Sequence, residues 1–450
     1  MSKKNIAIIL AAGKGSRMNS NIPKPLHKIA GKTIIEHILY NINEAGYDES
    51  IIVLNKENEN FFRYLKENNT GLTFAFQKNQ LGTGDAVKEG VMDVDLSSVE
   101  NVLVVFGDTP LLSSKTLSNL INFNSNNDIT VLGFETKNPG RYGRLLVKDT
   151  KLLKIVEALD ANEDEKKITL CNGGIMIIKA DRLKENLNLL NNNNAKKEFI
   201  LSDLIEINNN TGGVSSFVEC DHEETIGIDS KKGLSRAEKI YQNKLRNNFM
   251  EAGTTILDPE TVFFSHDTKI GKDVEIGSNI VFGENVFIKD NVVIKSFCSI
   301  ENSIINDGAS IGPFARLRNN VDIGKDSKIG NFVELKNSRL EQEVKVSHLS
   351  YIGDAEIDES VNIGAGTITC NYDGVNKHKT IIGKRAFIGS NSSLIAPINI
   401  GDDANVAAGS SISKNVDSNS LAITRAPIRF ISNWSKKFKK TNKEEEQCAE

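Results

Sequence analysis

Five cysteines in 450 residues are too few and too scattered for a disulfide scaffold or a zinc site. Cys171, Cys220, Cys298, Cys370 and Cys448 are odd in number and form neither CxxC pairs nor Cys/His clusters, so they are expected to be reduced thiols. No apolar stretch approaches the ~20 residues of a membrane helix. The apolar run over residues 6–12 is shorter than a signal-peptide core and passes into a glycine loop without a cleavage pattern. A large excess of either charge is missing too. With 55 Lys and Arg against 59 Asp and Glu, the net charge is −4, which gives no global basic excess to attract nucleic acid or an anionic bilayer. These absences point to a cytoplasmic chain whose partners are small molecules or other protein chains.

What is present exceeds a single core, because cores stop growing near 250 to 300 residues and two or three domains follow. The first half alternates strand-like and helix-like segments: IAIILAA, TIIEHILYNINEAG, SIIVLN, a polar helix near FFRYLKENN, then NVLVVFGD. Such alternation predicts a doubly wound α/β domain with a mostly parallel sheet and ligands at the carboxyl ends of its strands. Residues 231–252 carry charge-rich helical periodicity and read as a connecting helix. After Gly253 the period becomes six. Apolar residues stand at Ile270, Ile276, Phe282, Ile288, Ile294 and Ile300, then at Ile311, Leu317, Ile323, Ile329 and Leu335, then at Ile382, Ile388, Leu394, Ile400, Val406 and Ile412. Neither a helix nor an ordinary sheet holds that frame, whereas hexapeptide repeats build a parallel β-helix. The frame slips between Ile300 and Ile311 and between Leu335 and Ile352. A longer excursion, TCNYDGVNKHKT, separates Ile363 from Ile382. The expected domains are residues 1–229, a linker helix at 230–252, a β-helix at 253–427 and a disordered tail at 428–450.

Three stretches of the first half carry candidate chemistry. In IAIILAAGKGSRMNSNIPKPL a strand ends at Gly13 and Gly15 with Lys14, Arg17 and Lys24 close behind. Glycine lets backbone N–H groups approach phosphate oxygens, and the cations neutralise their charge. The stretch is neither GxGxxG, which would need glycine at Met18, nor a Walker A loop, which needs four residues between its glycines. By itself it reads equally well as a turn with solvated cations. VVFGDTPLL puts Asp108 at the end of a buried strand, where a carboxylate suits Mg²⁺ between phosphates or, more plainly, a turn. QLGTGDA offers Gly82 and Thr83 as a second backbone-rich loop.

In order and spacing, LAAGKGSRM with PKPL, QLGTGDA, FGDTPLL, YGRL and the pair Glu157 and Asn172 resemble the sugar-nucleotide pyrophosphorylases. NIGAGTITCNYDGVNKHKT at 362–380, with GNFVELKNS and SHLSYIGDAEI, narrows the likeness. From about residue 6 to residue 427 the chain resembles the bacterial bifunctional N-acetylglucosamine-1-phosphate uridylyltransferases/glucosamine-1-phosphate N-acetyltransferases. That resemblance implies a Rossmann-like nucleotidyltransferase domain and a left-handed β-helix. It also implies a homotrimer supplying UDP-N-acetylglucosamine for peptidoglycan and lipopolysaccharide precursors.

Site roles follow by the same resemblance. Leu10, Ala11, Ala12 and Gly13 would line the uridine, and Gln77, Gly82 and Thr83 would read the uracil of UTP. Arg17 and Lys24 would stabilise the pentavalent phosphorus and the departing pyrophosphate. Phe106, Gly107 and Asp108 would carry nucleotide and Mg²⁺, while Gly143, Glu157 and Asn172 would hold N-acetylglucosamine 1-phosphate. The second metal position falls in GIDS, where Asp229 replaces an expected Asn; Gly173 and Phe106 depart from the usual Thr or Ser and Tyr. In the β-helix His348 would be the base for acetyl transfer from acetyl-CoA to glucosamine 1-phosphate, imidazole being the side chain most often used as a general base. Arg318 and Lys336 would bind phosphate, and Tyr351 and Asn362 sugar hydroxyls. Ala365, Asn371, Tyr372, Lys377, Ser390, Ala408 and Arg425 would contact acetyl-CoA. Two alternatives stay open: a pyrophosphorylase whose β-helix only oligomerises, and a non-catalytic assembly protein built from the same two folds.

Overall fold

The strand Lys4–Leu10 is apolar on both faces, and Ile6, Ala7, Ile8 and Ile9 are each buried to within 1% of full enclosure. A continuous run of this kind belongs in the middle of a parallel sheet covered on both sides. In the computed structural model, which describes residues 3–56, 58–69, 71–194 and 197–436, it lies between Val99–Phe106 and Glu49–Asn55, parallel to both. The sheet runs Ser215–Glu219, Ile129–Glu135, Leu170–Lys179, Val99–Phe106, Lys4–Leu10, Glu49–Asn55, Thr73–Gln77. Along that path only Leu170–Lys179 is antiparallel to its neighbours. Helix Ile34–Glu44 starts with a capping box between Thr33 and Glu36 and buries Ile34, Ile35, Ile38 and Ile42 against one face of the sheet. The opposite face is covered by Ala86, Val87, Leu183 and Leu187 from helices Thr83–Val91 and Ala180–Leu187. Helix Lys231–Glu251 buries Ala237 in the first of these cores and packs Leu234, Ile240, Tyr241 and Leu245 against it.

A second compact unit comprises Phe249–Phe263 and the chain from Asp267 onward; Phe264–His266 belongs to the first. Here short strands stack into three parallel sheets of ten, nine and eight strands, the left-handed β-helix of the hexapeptide pattern. Every apolar position of the six-residue frame is buried except Ile270, which is half-buried near the first coil. Regular coils repeat every 18 residues, as when the Lys272 N–H donates to Asp290. The frame slips are coils of 17 residues, such as the one joining Asn337 to Asp354. The missing residue is lost at corners between Ile300 and Ile305, and between Leu335 and Leu340, so the aliphatic stack continues through Ile305, Leu340, Ile352 and Ile357. The excursion enlarges one coil to 25 residues, pairing Ile357 directly with Ile382 and leaving 371–379 outside the stack. Corners are turned by residues with positive φ, many of them Asn or Asp such as Asn279, Asn285, Asn291 and Asp326, the side chains that tolerate that region best. Of the tail expected to be disordered, residues 428–433 carry no strand or helix, but 434–436 form a short helical turn, and 437–450 lie outside the described residues.

Truncating the stack should be costly because each coil packs only on its neighbours. Leu335→Ala, at a fully enclosed position, is expected to destabilise the β-helix by about 3 kcal/mol. The check is a lowered midpoint for its transition in urea followed by circular dichroism.

Candidate functional site

In the first unit, parallel pairing aligns Leu10 with both Phe106 and Val53, so the loops after those strands leave side by side. The Ala11 N–H donates to Val53 O and the Gly107 N–H to Leu10 O, each at 2.9 Å, closing the backbone across the strand ends. Above them lies a cavity of about 270 Å³. Its lining brings together Leu10, Ala11, Ala12, Gly13, Lys24, Gln77, Gly82, Thr83, Phe106, Gly107 and Asp108.

Gly82 has φ of +122°, and any side chain there would strike the backbone of Phe199. That contact is a clamp. The Gly84 N–H donates to Phe199 O, the Phe199 N–H to Leu81 O, and the Leu201 N–H to the Thr83 hydroxyl, holding the loop against residues 199–201. The Gln77 side-chain amide donates to Gly82 O and to Asp85, which fixes the orientation of its carbonyl. Two further polar residues line the cavity without having been assigned a role from sequence. Gln80, inside the QLGTGDA stretch, donates to Ala12 O at 2.6 Å. Glu198 arrives from more than a hundred residues downstream, with no local signal to announce it.

Two cation–carboxylate pairs stand beside this cavity. Lys24 Nζ meets Asp108 Oδ2 at 2.5 Å, largely buried, and Arg17 Nη1 meets Asp229 Oδ2 at 2.5 Å in the open. The Ile228 N–H donates to Asp108 O at 2.9 Å, which ties the backbone preceding Asp229 to that of Asp108. Carboxylate oxygens from two elements are the hard donors that Mg²⁺ prefers, so Asp108 and Asp229 fit such an ion.

The sugar candidates also converge. The Asn172 N–H donates to Gly143 O at 2.8 Å, and a Cβ placed on Gly143 would lie within 3.6 Å of both Asn172 and Glu157. The Ser202 hydroxyl, another residue not assigned from sequence, donates to Glu157 at 3.0 Å. Next to it burial pushes Asp203 up to about 6, with Glu157, Glu206 and Asp160 adding to the shift. At Gly173 a side chain would run into Leu132 O and Thr225, so glycine is what this packing admits.

In the β-helix, His348 is exposed at the corner before strand Tyr351–Gly353. Its Nδ1 lies 2.7 Å from Asn331 Oδ1, one coil away and in register. An amide oxygen can only accept, so this contact puts the proton on Nδ1 and leaves Nε2 free to take one. Asn331 lies inside the GNFVELKNS stretch but had no role there. Along the same corner, backbone N–H groups of Leu349, Gly366, Asn391 and Gly409 donate to the carbonyls of Asn331, His348, Ala365 and Ser390. This lines up His348, Ala365 and Ser390 on successive coils, with Ala408 beside Gly409 continuing the row.

At the other edge of the same face lies a charged cluster. Lys336, 7% exposed, approaches Asp354 at 3.5 Å; Asn337 and Asn371 also donate to that carboxylate. Burial pulls Asp354 upward, but those hydrogen bonds and Lys336 outweigh it and hold the carboxyl below its usual range. Arg318, paired in register with Lys336, donates to Glu334 at 2.7 Å. The nearby Lys336 side chain pushes Lys377 below its ordinary value. Tyr351 spans the face between the two edges, its hydroxyl over Gly353. The excursion is tied internally: Asp373 accepts from the N–H groups of Val375 and Asn376 and from His378, and Tyr372 donates to Gly374 O. Asn362 pairs with Lys345 and Phe387, in the sheet of the strand that ends at His348 and not in that of Arg318, Lys336 and Tyr351, and Arg425 is exposed beyond the last strand, so within one chain neither joins the Arg318, Lys336 and Tyr351 strands.

Comparison with known proteins follows this division. Residues 7–172 match the MobA-like NTP transferase domain. Residues 302–337 match the bacterial transferase hexapeptide (six repeats), and 379–414 the hexapeptide repeat of succinyl-transferase. The chain is 45% identical to the bifunctional protein GlmU of a Ruegeria species over 93% of either chain. It is 46% identical to that of Rhizobium rhizogenes over 95% of this chain and 94% of the relative. With that of Zymomonas mobilis the identity is 41% over 97% and 98%. Identity at this level along nearly the whole length, over an NTP-transferase unit followed by a hexapeptide β-helix, makes this chain a member of the bifunctional GlmU family.

Proposed function

We propose that this protein makes UDP-N-acetylglucosamine in two steps, acetylation on the β-helix followed by uridylylation on the α/β unit. One observation supports each half.

For acetylation it is the Asn331–His348 contact. With Nδ1 protonated, Nε2 accepts a proton from the 2-ammonium of glucosamine 1-phosphate, and the freed amine attacks the thioester carbonyl of acetyl-CoA. The new C–N bond replaces the C–S bond, and the leaving thiolate is protonated as the amide forms. Arg318 and Lys336 bind the phosphate, and Tyr351 and Asn362 the sugar hydroxyls. Ala365, Ser390, Ala408, Asn371, Tyr372, Lys377 and Arg425 contact acetyl-CoA. Because Asn362 and Arg425 stand away from the Arg318, Lys336 and Tyr351 strands within one chain, we assign the complete site to a homotrimer in which neighbouring copies supply them.

For uridylylation it is the pair of ion pairs beside the cavity. A phosphate oxygen of N-acetylglucosamine 1-phosphate attacks the α-phosphorus of UTP, and the bond to pyrophosphate breaks. Such a displacement depends on positioning and charge neutralisation. Leu10 to Gly13, Gln77, Gly82 and Thr83 position the uridine; Gly143, Glu157 and Asn172 position the sugar; Lys24 and Arg17 balance charge on the transferred and departing phosphates. Asp108 and Asp229 would hold Mg²⁺, which would supply further neutralisation of the triphosphate. Reduced cysteines and small, charged substrates suit the cytoplasm.

Incubation with glucosamine 1-phosphate, acetyl-CoA, UTP and Mg²⁺ is expected to yield UDP-N-acetylglucosamine by mass spectrometry; absence of any acetylated sugar would sink the β-helix assignment. His348→Ala should slow acetyl transfer by about 10²–10⁴-fold with uridylyl transfer unchanged. Lys24→Ala should show the converse, losing about 10²-fold or more in uridylyl transfer while acetylation, followed by free CoA thiol, continues. Light scattering should return the mass of three chains.

A further inference from the structure

The two ion pairs beside the nucleotide cavity are not equivalent. Lys24 and Asp108 have side chains only 17% and 23% exposed, whereas Arg17 is 71% and Asp229 44% exposed. An exposed pair gains little from Coulomb attraction because water and salt screen it. Arg17 sits in the short turn Ser16–Met18, which is anchored by buried Met18, so its guanidinium can swing while the backbone stays in place. It contacts Asp229 through Oδ2, while the Ile228 N–H beside Asp229 donates to Asp108 O. An asparagine at 229 would offer an oxygen to a cation but no ion pair to an arginine.

We infer that Arg17 and a divalent cation compete for the Asp229 carboxylate, so that loading the metal frees Arg17 for the phosphates. The inference rests on the uridylyltransferase reading and adds to it a coupling particular to this chain. A dication binds a carboxylate oxygen more strongly than an exposed guanidinium does, so it displaces Arg17, whereas the enclosed Lys24 keeps its place at Asp108. Charge neutralisation by Arg17 then becomes available only when the metal is in position. Asp229 thus has two occupants in turn, and the cost of the exchange is small because the pair being broken is weak.

The test is Mn²⁺ binding to the full-length protein without substrates, read from the electron paramagnetic resonance signal of free Mn²⁺ in about 0.15 M KCl, where exposed charges at a distance are screened. The isosteric variant Asp229→Asn is expected to weaken binding about tenfold. Arg17→Gln should tighten it about threefold by removing the competitor. In the double variant the Arg17→Gln gain should vanish, since the contested carboxylate is gone. An equal gain in both backgrounds would overturn the competition, as would unchanged affinity in Asp229→Asn. Failure of the wild type to bind Mn²⁺ even with UTP added would instead count against the uridylyltransferase reading itself.

Discussion

Parallel hydrogen-bonded pairing is the constraint on which both units depend. In a parallel ladder, strands point the same way, so the residues that follow them emerge at one edge. Leu10 opposite Phe106 and Val53 therefore delivers the glycine-rich loop, the Gly107–Asp108 turn and their backbone clamps to a common edge. In the β-helix the same pairing, repeated coil on coil, puts Asn331 beside His348 and Arg318 beside Lys336, although each pair is a full coil apart in sequence.

Charge is handled alike at the two edges. Each cation assigned to phosphate stands against a carboxylate: Lys24 with Asp108, Arg17 with Asp229, Arg318 with Glu334, Lys336 with Asp354. The enclosed members need such partners, because an unpaired buried charge is strongly unfavourable. Lys336 and Asp354 are the clearest case, at 9% and 12% side-chain exposure, with two asparagine amides completing the carboxylate's hydrogen bonds. The exposed Arg17–Asp229 pair gains far less from its partner, which leaves it the more exchangeable of the set.

Much of this was legible beforehand. The alternation of apolar runs with helical periodicity announced the mostly parallel sheet, and the six-residue frame announced the β-helix, because both patterns come directly from which faces must be buried. The excursion TCNYDGVNKHKT was readable as an interruption. Less legible was how the frame slips are absorbed: a coil of 17 residues keeps its aliphatic stack by shortening a corner, and Ile305, Leu340 and Ile357 take over positions outside the simple count. Gln80 and Asn331 lay inside recognisable stretches, yet their partners, Ala12 O and His348, are distant in sequence. Glu198 and Ser202 had no local signal, because their relevance comes from a segment folding back over the Gly82 loop and Glu157.

The amino-acid sequence by itself determined which segments are strands, helices and coils, since burial periodicity is a local property of residue order. It also carried the residue types of both candidate sites. The tertiary structure alone decided which of those groups touch: that His348 has its Nδ1 occupied and its Nε2 open, that Asp229 faces Arg17 while Asp108 faces Lys24, and that Asn362 and Arg425 lie off the Arg318, Lys336 and Tyr351 strands of their own chain. Contacts between residues 17 to more than 200 positions apart depend on sheet register and coil length, which are set by packing of the whole unit and not by any one stretch.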